Sequence, residues 1–133
     1  MSKIAYRRLE VLQSLERLTA GITGNRFVST RPTAIGEQME EFLLIRLPQK
    51  INQWGDVCQF STGQISIFAR DIQGGLENTL MLELMQSAVM KLFSDNGVLN
   101  TELFSAWDPE LLYGGADGAG FHYLTIQFQI QLK

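Results

Sequence analysis

Residues 121–132 constrain the fold more than any other stretch of the chain. His122, Leu124, Ile126, Phe128, Ile130 and Leu132 alternate with Thr125, Gln127, Gln129 and Gln131. A period of two sends successive side chains to opposite faces of a strand, so this segment reads as a long β-strand with one apolar face and one polar face. The apolar face needs a second layer to cover it. The polar face carries amides and a hydroxyl instead of charges, and such groups lose less on leaving water than ions do.

Two segments have the periodicity of helices that could form that layer. Over residues 3–20, Ile4, Val11, Leu15 and Leu18, followed by Ile22, form an amphipathic stripe that Leu9 and Leu12 widen, with Gly21 and Gly24 at the stop. Over residues 76–93, Met81, Leu84, Met85, Ala88 and Leu92 form a face flanked by Leu82 and Val89. Asn78 or Thr79 is placed to cap the start and Asn96-Gly97 to end it. So wide an apolar face predicts near-complete burial, with the methionines as core filler.

Three further segments read as strands. Residues 40–48 form a short apolar run ended by Pro48, where a ladder donor is lost. Residues 57–70 alternate again, with Ile65, Ile67 and Ala69 on one side and Gln64, Ser66, Phe68 and Arg70 on the other. These two pair antiparallel, and Gly63 marks a bulge or a close approach of another backbone. Residues 98–107 hold a strand of ambiguous register. Residues 25–38 read as a long connection, an extended arm or a concealed strand at Phe27 to Thr30, and residues 108–120 as a glycine-rich loop. The expected fold is a single α+β domain over residues 1–133. It has two layers: a four-stranded, mostly antiparallel sheet with two helices on one face, in the order α-β-β-α-β-β.

Composition narrows the function. Charged residues make up 19% of the 133 and the net charge is -3, with the cations scattered apart from Arg7-Arg8, so no nucleic-acid footprint is expected. Cys58 is the only cysteine, which excludes an internal disulfide and a cysteine metal site. No signal peptide or membrane span is expected, and the cytoplasm is the expected compartment. Gly114 to Gly120 is followed by a strand, not a helix, and lacks the Lys-Ser/Thr of a phosphate loop. His122, the only histidine, points with the apolar side of its strand, as a packing residue does. No catalytic residue, metal or cofactor is expected. The alternative is a small ligand-binding or enzymatic domain using residues 114–120 and His122. Trp54, Trp107, Leu111, Leu112 and Tyr113 lie in or beside predicted loops, where large apolar groups fold back on the core or meet a partner. With the amides of Gln127 and Gln129, they are the candidate protein-contact residues.

The leading helix, the long connection, the strand Phe42-Leu43-Leu44-Ile45-Arg46-Leu47-Pro48, the strand ending Gln64-Ile65-Ser66-Ile67-Phe68-Ala69-Arg70-Asp71, a helix from Leu76 and the last alternating strand together resemble the tail-terminator, or tail-completion, proteins of long-tailed bacteriophages. The resemblance spans nearly the whole chain through element order, without an invariant motif. It implies a non-enzymatic virion protein, assembled in the host cytoplasm, that forms a hexameric ring on the tail tube. The implied partners are further copies of itself, the tail-tube protein and the head-tail connector protein.

Overall fold

The computed structural model describes residues 8–32, 35–47, 52–54 and 58–133; for residue 8 and for residues 52–54 and 58–61 it describes the backbone alone. Among the described residues, two helices and seven strands follow one another as α1 (Arg8–Leu18), β1 (Arg26–Val28), β2 (Glu41–Arg46), β3 (Asn52–Trp54), β4 (Cys58–Arg70), α2 (Thr79–Met90), β5 (Val98–Asn100), β6 (Phe104–Ala116) and β7 (Phe121–Leu132). The strands form one sheet ordered β1-β2-β4-β7-β6-β5, and β3 pairs with β4. Every pairing is antiparallel except β1 with β2.

The α+β class and the two helices on one face agree with the expectation; the count of four strands does not. The four expected strands form the centre, and β1, β3 and β5, three residues each, extend it. β7 occupies one edge of β4 from Phe60 to Arg70, and β2 and β3 share the other. The expected strand over residues 98–107 is β5 together with the start of β6. The expected loop over residues 108–120 is mostly strand, because β6 absorbs its turn-like residues as two bulges.

Both helices cover one face. Val11, Leu12 and Leu15 of α1 and Leu82, Met85 and Val89 of α2 meet Leu43, Ile45, Ile65, Ile67, Leu124, Ile126, Phe128 and Ile130 in one core. α2 is shorter and differently rotated than its sequence predicts. Asn78 Oδ1 accepts the Met81 N–H at 3.2 Å, which starts the helix at Thr79. Its buried stripe runs through the expected flank residues, Leu82 and Val89, with Met85. Leu84, expected in the core, is exposed. Burial is therefore one-sided, because the sheet meets one face of the helix and, among the described residues, no third layer covers the other. Leu9 of α1, counted in the apolar stripe, is exposed for the same reason.

Gly63 marks a close approach, but of a side chain, not of backbone. Its pairing with Phe128 continues the β4–β7 register without a bulge, and a Cβ there would lie 2.4 Å from the Phe128 ring. Phe128 is fully buried and packs on Phe93 at 5.6 Å between centroids, so the ring has nowhere to retreat. Gly63→Ala is expected to destabilise the fold by about 1–3 kcal/mol, measured as a lower midpoint in urea with an unchanged slope.

Candidate functional site

The sheet face away from the helices holds most of the side chains singled out in the sequence. One end of it is aromatic. Phe42, Leu44, Phe68 and Phe121 form a second buried cluster, with Phe27, Ile35, Met39 and Tyr123 packed against it. Phe42 and Phe68 stack at 4.4 Å, Phe68 and Tyr123 at 5.1 Å, and Phe121 meets Phe42 edge-on at 5.2 Å.

The connection after β1 crosses this end. The Arg31 guanidinium carbon lies 5.5, 5.2 and 5.7 Å from the ring centroids of Phe42, Phe68 and Phe121, close enough for the ring quadrupoles to attract the cation. Arg31 Nη1 donates to Asp117 Oδ2. Asp117 Oδ1 accepts the N–H groups of Ala119 at 2.7 Å and Phe121 at 3.1 Å. Arg70, 4.6 Å from the Phe121 centroid, holds the far side of the connection by donating to the carbonyls of Met39 and Gly36, each at 3.0 Å. The segment expected as an extended arm therefore lies on its own sheet, and the concealed strand is Arg26–Val28.

The other end of the face is polar. Cross-strand partners share a face, so the register sets Arg46, Gln64, Gln127 and Glu110 in one row across β2, β4, β7 and β6. Gln64 Nε2 donates to Gln127 Oε1 at 2.9 Å. In the adjoining row the hydroxyls of Ser66 and Thr125 bond to each other at 2.8 Å, beside Leu44 and Leu112. Trp107 stands across from Gln129. Where the two ends meet, an open cleft of about 520 Å³ is lined by Arg31, Arg46, Leu44, Ser66, Asp117 and Tyr123, among others.

Of the candidate contact residues, Trp107, Leu112, Gln127 and Gln129 are thus brought together on this face. Leu111 and Tyr113 are not. They pair with Ile126 and Leu124, whose side chains point to the helix layer, and yet they remain exposed because α2 covers β4 and β7. None of these residues is in a loop: Trp107, Leu111, Leu112 and Tyr113 are on β6, and Trp54 is on β3 with its side chain outside the described residues. Arg31, Arg70 and Asp117, which organise the aromatic end, carry no periodic signal that sequence reasoning could have used.

The glycine-rich segment is not an empty cradle. Gly114 packs under the Tyr123 ring, 2.2 Å from where a Cβ would stand, and Gly115 sits in a bulge at φ 86°. Residues 117–120 make the turn, closed by the Asp117 carboxylate. His122 Nδ1 and Asp71 Oδ1 are 2.5 Å apart, an occupied pair at the end of the sheet. No group of three His, Cys, Asp or Glu side chains suited to a metal occurs among the described residues, and no described helix is long and apolar enough to cross a membrane.

Burial pushes the Asp117 carboxyl up, but the two N–H donors and the Arg31 guanidinium together hold it below the ordinary carboxylate value. A lowered value in the folded state contributes stability above about pH 4, lost as pH falls through the lowered value. Asp117→Asn is therefore expected to lower the thermal midpoint at pH 7 and to flatten the loss of stability between about pH 4 and pH 2. Midpoints of both proteins measured across that range check it.

No protein-family model and no curated protein matches the chain. Solved structures do share its fold: 16 chains match. One of them, a protein with no functional name, has a TM-score of 0.63 over 98% of this chain and 96% of its own, at 10% identity. At that identity the likeness is one of fold.

Proposed function

We propose that this protein is a structural assembly protein of the tail-terminator type. Copies of it would close into a ring, a hexamer as in the family it resembles, that ends the tail tube and faces the head-tail connector. It would assemble in the host cytoplasm and stay in the virion tail. The observation that carries this reading is that large apolar side chains stand exposed on two separate elements, Leu80 and Leu84 on α2 and Leu111 and Tyr113 on β6. A ring of identical subunits needs two different patches per subunit, because its contacts are heterologous. The element order supports the same class.

Native mass spectrometry and negative-stain microscopy of the purified chain, alone and with tail-tube protein, test this. A closed ring of six with an axial opening is expected. A strict monomer at high concentration, unchanged by tail-tube protein, would remove the reading.

The polar end of the sheet gives a second check. Gln127→Glu with Gln129→Glu sets two carboxylates beside Glu110, where the present groups are uncharged amides. If that face meets a neighbouring subunit or lines the opening, the double substitution weakens assembly at least tenfold and leaves the thermal midpoint within about 2 °C. Unchanged assembly would return the face to plain solvent-exposed sheet.

A further inference from the structure

We infer that the outer side of α2 is the seat for β6 of a second copy of this chain. The inference rests on the ring reading and names its contact. On α2, Leu80 and Leu84 are 70% and 60% exposed, and Lys91, at the helix C-cap, is exposed too. At 100° per residue these three share one stripe on the side opposite the buried Leu82, Met85 and Val89. On β6, Tyr113 and Leu111 are 68% and 45% exposed, and Asp108 projects from the first bulge at φ 59°.

The two patches match in spacing and charge. Leu80 to Leu84 is about 6 Å along the helix, and Leu84 to Lys91 about 10 Å. Tyr113 to Leu111 is about 7 Å along the strand, and Leu111 to Asp108 also about 7 Å because the bulge shortens the run, a difference that the long Lys91 side chain spans. Laid alongside, Tyr113 meets Leu80, Leu111 meets Leu84 and the Asp108 carboxylate reaches the Lys91 ammonium. Neither charge has an ion-pair partner among the described residues. The apolar groups supply the adhesion and the ion pair sets the direction. Within one chain the patches cannot meet, because the α2 stripe faces away from the sheet that carries β6. In different copies the contact is head-to-tail and leaves one of each patch free for the next neighbour.

A mixing experiment tests this with full-length chains. Leu84→Asp spoils the α2 patch and Tyr113→Asp the β6 patch; both positions are exposed, and unchanged circular dichroism and thermal midpoints verify folding. Each variant alone is expected to lose the high-mass species. Mixed in equal amounts, they should yield a heterodimer and nothing larger, since the mixture retains a single intact pairing. Lys91→Asp combined with Asp108→Lys should regain at least tenfold of the association that each loses alone. If the wild type forms a ring that neither Leu84→Asp nor Tyr113→Asp disturbs, or if the mixture stays monomeric, this contact is overturned and the ring reading stands. A wild type that never leaves the monomer overturns both.

Discussion

The pairing of β4 with β7 is the interaction on which the rest of the structure depends. It runs without a break from Phe60↔Gln131 to Arg70↔Phe121, and it joins two strands whose apolar residues fall on the same side. Ile65, Ile67, Leu124, Ile126 and Phe128 become one surface only in that register. A slip of β7 by one residue would turn Leu124, Ile126 and Phe128 toward the polar face while Ile65 and Ile67 stayed on the other. The Gly63–Phe128 contact opposes such a slip, because only a residue without a Cβ accepts the ring.

Once the pair is set, both layers follow. The helices have a single apolar sheet surface to cover, and their outer sides carry exposed Leu9, Leu80 and Leu84. The other face is covered differently: a cation on a loop sits over three rings, held by a carboxylate that is itself satisfied by two backbone amides. An arginine suits this place, since its weakly hydrated planar group accepts aromatic faces and an anion together. Beyond the reach of the connection the face turns to amides and hydroxyls that satisfy one another across strands.

What could be read in the sequence was whatever has a short period. Strands β4 and β7 follow from alternation, β2 from a short apolar run, and the presence of both helices from 3.6-residue stripes. α2 shows where that signal stops: its apolar residues form two overlapping stripes that share Met85, and only the sheet decides between Leu84 and Leu82. β6 shows another limit. The extra residue between Trp107 and Glu110 moves the helix-facing side chains from even positions, Phe104 and Ala106, to odd ones, Leu111 and Tyr113. No fixed period survives that, so the strand passed for a loop and its exposed leucines for loop residues. The grouping of Trp107 and Leu112 with Gln127 and Gln129 depends on the same bulge. Arg31 and Asp117 are hidden for a different reason, being joined by a contact that spans 86 positions of sequence.

That span has a consequence for how the protein is made. Synthesis delivers Arg31, Phe42 and Phe68 long before Asp117, Phe121 and Tyr123, so the aromatic face lacks its anion and two of its rings until residues 117–123 have been made. The connection after β1 can settle only after the β6–β7 turn has formed, so a segment made late closes one made early. A chain stalled before residue 117 would lack β7 on the helix side as well, and would present three phenylalanines, Phe27, Phe42 and Phe68, on the other. The β6–β7 turn thus finishes a face that β2 and β4 begin.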